Sequence, residues 1–215
     1  MHKRLAISVE GQTEQEFCEV VLKPYFQEKC IDIQPIVITT KRLNNGKKYR
    51  GGGNIGLQNV AKEVNRLLNS FDYVTTMYDY YGFKESAGRT VEQIEAEMRH
   101  HFNSQKFIPY IQKHEFETLL FSSPAICAEK IGESALAKDM QKVIDEFGDD
   151  IDSINNSETG APSKRICDLF SNYGRRYNKI YYARVIAKDI GLDALRSSSN
   201  HFDEWIAEIL KLSNC

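Results

Sequence analysis

The chain has 215 residues, of which 41% are hydrophobic and 11% aromatic, and its formal net charge is -2 at pH 7. This composition supports a packed core and excludes a disordered chain, while the near-neutral charge restricts any nucleic-acid contact to a local patch. The five cysteines are widely spaced without a C-x-x-C pair, which favours free thiols and a cytoplasmic protein. No stretch approaches the roughly 18 apolar residues of a membrane span, so no membrane partner is expected.

The first part of the chain alternates strand and helix patterns. Strands are predicted at residues 5–9, 31–40, 73–78 and 107–112, and helices at residues 14–29, 54–70 and 90–102. Strands separated by helices of this length predict crossover connections and a parallel sheet. Thr13 and Glu16 have the spacing of a capping box, so the first helix is expected to begin just after Gly11, with Pro24 as a kink or stop.

The second part of the chain shows helical patterns without strand patterns. Helices are predicted at residues 123–131, 135–147, 163–170, 183–190 and 201–212, with a polar loop at residues 149–162. The sequence therefore predicts an α/β protein with a Rossmann-like core, in which helices flank a parallel sheet, and a helical C-terminal part. We place the core at residues 1–121 and the helical part, packed on it, at residues 122–215.

Acidic residues follow three of the predicted strands. Glu10 comes directly after the first strand, Asp79 after the third, and the segment HEFE (residues 114–117) after the fourth. The carboxyl ends of parallel strands share one edge of the sheet, where open α/β proteins bind their ligands. Converging carboxylates suit Mg²⁺ or Mn²⁺, although acids at these positions are also ordinary helix caps.

Four segments in this order resemble a known bacterial family. They are VEGQTE (residues 9–14), DYYG (79–82), HEFE followed by LLF (114–121), and APSKR (161–165). Together they resemble the domain-of-unknown-function family DUF4276, which is regarded as Toprim-like and related to the Toprim domains of overcoming-lysogenization-defect nucleases. The resemblance spans most of the chain and implies a Toprim-like fold.

The resemblance also implies a metal site. Toprim domains bind Mg²⁺ through a glutamate after the first strand, matched by Glu10, and an Asp-x-Asp, whose first aspartate is matched by Asp79. The second aspartate is replaced by Tyr81. Either Glu115 or Glu117 supplies the missing carboxylate, or the site binds one metal weakly, or it is not catalytic. Phe116 shares a helical stripe with apolar neighbours and is expected in the core, which leaves both Glu115 and Glu117 to point elsewhere. Which of the two faces the pocket depends on where the helix starts, and we favour Glu117. The remaining candidates are Glu14 and His114. Glu14 is either an auxiliary ligand or an ordinary first-turn residue of the helix, and His114 is a general acid or base, a metal ligand or a hydrogen-bonded structural residue.

Basic residues form two candidate nucleic-acid contacts. The first is the segment before the second helix, which carries Lys41, Arg42, Lys47, Lys48 and Arg50 ahead of three glycines. It is either a solvated loop or a phosphate-binding loop at the same sheet edge as Glu10. The second comprises Lys164 and Arg165, which open a helix after Pro162 and are either surface charge or a further phosphate contact.

Two functions are compatible with these features. The first is a Mg²⁺-dependent Toprim-type nuclease that cleaves nucleic-acid phosphodiesters. The resemblance also implies an ATPase partner encoded nearby and a role in phage defence. The second is a non-catalytic module that binds nucleic acid or the partner ATPase, which the tyrosine at position 81 favours. The sequence does not determine the oligomeric state or the choice between DNA and RNA.

Overall fold

The computed structural model describes residues 2–42, 48–50, 55–154 and 160–213. The chain folds into two compact units. The first unit comprises Met1–Gln112 together with Ala207–Cys215, and the second unit comprises Lys113–Ile206. The domain division at residues 121 and 122 stays a prediction. Within the described ranges, no helix combines the length and the apolar character needed to cross a membrane.

The first unit contains a parallel sheet, as predicted. The strands of the first unit are β1 (Lys3–Val9), β2 (Ile31–Val37), β3 (Thr39–Arg42), β4 (Lys48–Arg50), β5 (Tyr73–Asp79), β6 (Phe107–Ile108) and β7 (Ile111–Gln112). The main sheet has the order β2–β1–β5–β6, with β7 also paired to β5, and all its pairs are parallel. β3 and β4 form a separate antiparallel pair. The single strand predicted through Thr40 is therefore wrong, because the pairing with β1 ends at Val37 and Thr39–Arg42 pairs with β4 instead.

The predicted fourth strand is interrupted at Pro109. Proline has no N–H for the strand ladder, so the run divides into β6 and β7. The buried hydroxyl of Thr76 in β5 replaces the missing backbone pairing. Its Oγ1 accepts the Tyr110 N–H at 2.9 Å and donates to the Tyr110 carbonyl oxygen at 2.9 Å. The break therefore leaves both backbone groups of Tyr110 satisfied.

Helices cover the sheet of the first unit. β1 is buried along its length from Leu5 to Val9, as expected for a strand covered on both faces. Ala6 and Tyr78 belong to a core cluster with two helices, α3 (Leu57–Leu68) and α4 (Val91–Phe102). The side chains of Leu5, Ile7 and Val9 alternate with that of Ala6 and point to the opposite face.

The first helical segment begins earlier than predicted. It comprises α1 (Gln12–Phe17), a π-helical stretch (Cys18–Leu22) and α2 (Lys23–Gln27). The predicted capping box of Thr13 and Glu16 is wrong. Gly11 is the N-cap and its N–H donates to the Glu14 carboxylate at 2.8 Å, because α1 starts immediately after the strand. Pro24 lies in the first turn of α2. The π-helical stretch comes just before it, and at its end the Lys23 N–H donates to the Cys18 carbonyl oxygen.

The second unit is helical. Its elements are a 3₁₀ helix (Phe116–Ser122), α5 (Pro124–Ile131), α6 (Ala135–Glu146), α7 (Pro162–Asn172), α8 (Lys179–Ile190), α9 (Leu192–Ser198) and α10 (Asn200–Leu210), whose last turn belongs to the first unit. The sequence analysis did not predict α9. Phe116 is buried, as predicted. Among the described cysteines, Cys18, Cys127 and Cys167 are free, whereas Cys30 is disulfide-bonded, so the expectation of free thiols is wrong for Cys30.

Candidate functional site

Glu10 and Asp79 lie at the carboxyl edge of two neighbouring strands. Glu10 follows β1, and Asp79 is the last residue of β5, which pairs with β1 in parallel. The Glu10 carboxylate accepts the Asp79 backbone N–H at 3.3 Å. Asp79 is buried and Glu10 is half-buried. The two acids, distant in sequence, are thus neighbours at the sheet edge.

Gly82 provides the space that the Glu10 carboxylate occupies. A short 3₁₀ turn, Tyr80–Gly82, follows directly after Asp79. A Cβ atom added at Gly82 would lie 2.7 Å from Oε2 and 3.0 Å from Oε1 of Glu10. The Asp79–Gly82 turn is therefore a cradle for the carboxylate. The sequence analysis did not identify Gly82 as a site residue, although it follows Asp79 closely in the DYYG segment.

Glu14 supports the turn that follows Glu10. It is buried, and its Oε2 accepts the Gly11 N–H at 2.8 Å. This bond fixes the backbone between β1 and α1, directly beside Glu10. Tyr81, which lies in the Tyr80–Gly82 turn, is 37% exposed.

The Glu10 and Asp79 pair fits a divalent cation. Mg²⁺ in proteins is commonly held by one or two carboxylates, with waters and substrate phosphates as the other ligands. The cradle at Gly82 sets one carboxylate beside the backbone that carries the other. In the parts of the chain that the structure describes, no group of three His, Cys, Asp or Glu side chains is arranged to hold a metal. The fit therefore rests on two carboxylates.

Glu117 lies in the second unit and is fully buried. The Lys179 Nζ atom is 3.2 Å from its Oε2, and the Tyr177 hydroxyl donates to its Oε1 at 3.3 Å. Burial raises the pKa of the Glu117 carboxyl, and the Lys179 ammonium opposes that rise. Sequence analysis missed both partners. Their signal was the run of basic and aromatic residues that begins after Gly174.

Glu115 and His114 also have partners within the second unit. The Glu115 carboxylate accepts the Ser163 N–H at 2.9 Å, in the first turn of α7. The His114 Nε2 atom lies 3.0 Å from the Asp152 carbonyl oxygen, and burial lowers the His114 pKa. A neutral imidazole that donates through Nε2 explains this contact. The predicted joint site of Glu10, Asp79 and Glu117 draws on both units and stays a prediction, as does the catalytic role of His114.

The predicted basic contacts differ in what the structure describes. Lys41 and Arg42 lie in β3, and Lys48 and Arg50 in β4, whereas Lys47 falls outside the described residues, as do the side chains of the other four.

The pair in α7 has different surroundings for each residue. Lys164 is exposed. The Arg165 Nε atom donates to the Gly160 carbonyl oxygen at 2.9 Å, and its guanidinium lies over the Phe147 ring, 5.1 Å from the centroid. Arg165 thus has a structural role at the start of α7, and of the two residues Lys164 is the more accessible to a phosphate.

Comparison with known proteins gives three findings. Two structures of the C-terminal region of the OLD protein from Xanthomonas campestris pv. campestris are similar to this chain. The first structure has 16% sequence identity and a TM-score of 0.38, and the match covers 98% of this chain and 95% of that one. The second structure has 15% sequence identity and a TM-score of 0.37, and the match covers 98% of each chain. No curated protein matches the chain. Residues 9–210 match the family described as "Domain of unknown function (DUF4276)", and the chain belongs to that family.

Proposed function

We propose that this protein is a Toprim-type nuclease that acts on nucleic-acid phosphodiesters with Mg²⁺ or Mn²⁺ held by Glu10 and Asp79. One observation carries the proposal: the Glu10 carboxylate lies on the Asp79–Gly82 turn, at the carboxyl edge of two adjacent parallel strands. This edge is where open α/β sheets bind ligands. Two carboxylates in such a position match the way Mg²⁺ is held beside a substrate phosphate.

Each residue of the site has a defined part in this proposal. The bound ion supplies stabilisation of phosphate charge and lowers the pKa of its water. Glu10 and Asp79 bind and orient the ion. Glu14 holds the Gly11 turn and, through it, the backbone beside Glu10. Gly82 keeps the space for the Glu10 carboxylate open.

Contacts with the nucleic-acid backbone and with a partner complete the proposal. Lys164 is exposed and suited to a phosphate contact. The basic residues of β3 and β4 are proposed to contact the backbone as well. An ATPase encoded nearby is the proposed partner, in phage defence.

Metal binding and cleavage by site variants test the proposal. Glu10→Gln and Asp79→Asn each remove one ligand charge and should weaken Mn²⁺ binding at least about tenfold, because even supporting residues of metal sites contribute that much. Both should abolish cleavage of single-stranded and duplex substrates. Glu28→Gln, which changes an exposed glutamate at the end of α2, is the matched control and should behave as wild type. Cleavage that survives Glu10→Gln would overturn the assignment.

The third carboxylate is tested in the same assay. If Glu117 or Glu115 completes the metal site, then Glu117→Gln or Glu115→Gln should reduce cleavage without a matching loss of stability. Full cleavage by both variants would remove the second unit's acids from the proposed chemistry.

A non-catalytic module is the alternative function. It is favoured by Tyr81, which has an exposed phenol where the Toprim pattern has its second aspartate. A phenol supplies no carboxylate for a second ion. This alternative predicts nucleic-acid binding that is unchanged in Glu10→Gln, with no cleavage by the wild-type protein at any Mn²⁺ concentration.

A further inference from the structure

A second basic and aromatic segment lies outside the site described above. Residues 169–188 contain no Asp or Glu, yet they carry five basic residues and four tyrosines. The basic residues are Arg175, Arg176, Lys179, Arg184 and Lys188, and the tyrosines are Tyr173, Tyr177, Tyr181 and Tyr182. Basic residues interleaved with aromatics are the composition of surfaces that bind unpaired nucleic acid.

Helix α8 sorts this segment into a buried and an exposed face. The buried face consists of Ala183, Ile186, Ala187 and Ile190. Tyr181, Arg184 and Lys188 are exposed and follow the i, i+3, i+7 spacing of a single helical stripe. The Tyr181 side chain is 58% exposed, whereas Tyr81 is 37% exposed. We call Tyr181, Arg184 and Lys188, together with the exposed Arg176 in the preceding loop, the α8 stripe.

The other aromatic rings hold the start of α8 in place. The Phe170 ring packs edge-on against Tyr177 and Tyr182, with centroids 5.4 Å and 5.2 Å away. The Asn178 side chain caps α8 by accepting the Tyr181 N–H. The Tyr181 ring in turn contacts the edge of Tyr182, at 5.1 Å. Tyr181 is therefore an anchored aromatic ring with a large exposed surface, which lowers the entropy cost of binding.

Several nearby acids are already paired with cations. Asp189 is bound by Lys130, Glu133 by Arg175, and Glu117 by Lys179. These pairs neutralise acids that would otherwise repel a phosphate backbone. Arg176, Arg184 and Lys188 place positive charge along the exposed stripe, and positive charge is complementary to a polyanion.

We infer that the α8 stripe binds single-stranded nucleic acid. Arg176, Arg184 and Lys188 contact backbone phosphates, and Tyr181 stacks on an unpaired base. A duplex offers the phosphates but no free base face along its length, so the exposed tyrosine selects the single strand. The stripe contains no metal ligand, and its binding is independent of the nuclease chemistry proposed for Glu10 and Asp79.

Fluorescence anisotropy in EDTA tests this inference, with a labelled single-stranded oligonucleotide of about 16 nucleotides, the upper site size of a single-strand-binding fold. Tyr181→Ala should weaken binding roughly tenfold, since one stacked base contributes about that much. Arg176→Ala combined with Lys188→Ala should reduce the slope of log affinity against log salt by about 1.4, because each neutralised phosphate of a single strand contributes about 0.7. The control is Lys62→Ala combined with Lys138→Ala, which removes two charges from exposed lysines on α3 and α6.

The outcomes separate this inference from the nuclease proposal. Retained oligonucleotide binding by Glu10→Gln, together with weakened binding by Tyr181→Ala, supports the stripe whether or not the protein cleaves. Equal affinities of wild type and Tyr181→Ala overturn it, and so do equal salt slopes for the stripe variant and the control. Binding to anionic phosphatidylglycerol vesicles without binding to the oligonucleotide also overturns it and identifies a membrane surface instead.

Discussion

The two acidic clusters of this protein differ in what holds their carboxylates. At the sheet edge of the first unit, backbone N–H groups donate to Glu10 and Glu14. In the second unit, Glu115 likewise accepts a backbone N–H, at the start of α7, and the difference lies at the fully buried Glu117, which faces the ammonium of Lys179. A backbone N–H orients a carboxylate and leaves its formal charge in place, whereas an ammonium neutralises it.

This difference separates a candidate metal site from an ion pair between a buried carboxylate and a half-exposed lysine. The carboxylates that backbone groups orient at the sheet edge are the ones that we propose bind a cation. A carboxylate that already pairs with a lysine gives up that interaction before it can bind a metal. The clusters look alike in sequence, as acids after predicted strands, but the second has a structural explanation. Four predictions test the comparison.

Removal of the Lys179 ammonium should have the largest effect. Lys179→Met leaves the Glu117 carboxylate buried without its cation, and we expect a loss of about 3 kcal/mol in the free energy of unfolding, since breaking a buried pair on one side is costly. Urea denaturation measures this change. Lys142→Met is the control, because it removes a surface lysine paired with Asp139 at 2.7 Å, and should cost less than about 1 kcal/mol. Similar effects of both substitutions would contradict the buried-pair interpretation.

The loss in Lys179→Met should also depend on pH. The folded pKa of Glu117 lies above its ordinary value of 4.5 because of burial, and losing the ammonium raises it further. The folded state then binds the proton more readily than the unfolded state, so stability falls as pH rises from about 4.5 through the folded pKa. The deficit relative to wild type should be greatest at neutral pH and smallest below pH 4.5. A deficit that grows on acidification would contradict this cause.

Filling the cradle at Gly82 should have an intermediate effect. In Gly82→Ala the new Cβ would lie 2.7 Å from Glu10 Oε2, so the carboxylate must move away from the turn. We expect Mn²⁺ affinity, measured by calorimetry, to fall about tenfold, as for other residues that orient metal ligands. In the Glu10→Gln background the same change should have little further effect, because neighbouring residues that act together are not additive. Unchanged affinity in the single variant would argue against the cradle.

Removal of the Glu115 charge should have the smallest effect. Glu115→Gln keeps an oxygen that can accept the Ser163 N–H but loses the favourable interaction of a negative charge with the N-terminus of α7. The expected loss of stability is about 0.5 kcal/mol by thermal or urea unfolding. The control is Asp168→Asn, which removes an acid that lies within α7 but beyond its first turn, and this change should not destabilise the protein. A loss above about 2 kcal/mol for Glu115→Gln would indicate a different role.

Local patterns in the sequence determined the architecture of this protein. Apolar runs separated by helical periodicity predicted the parallel sheet, and Glu10 and Asp79 were placed at strand ends by counting along those runs. Most helix ends were also predictable to within a few residues, because caps and apolar spacing are local features. The exceptions have local causes too. Pro109 interrupts the fourth strand, and the first helix has its N-cap at Gly11, closer to the N-terminus than the predicted Thr13.

Tertiary structure alone decided which groups became partners. Glu117 and Tyr177 are 60 positions apart, and Glu10 and Asp79 are 69 apart. The sequence shows that acids, a lysine and a glycine are present, but the periodicity of a single element carries no information about contacts across the chain. Packing brings Gly82 against Glu10, Thr76 against the break at Pro109, and Lys179 against Glu117. Those contacts decide which carboxylates accept backbone N–H groups at the sheet edge and which one faces a lysine.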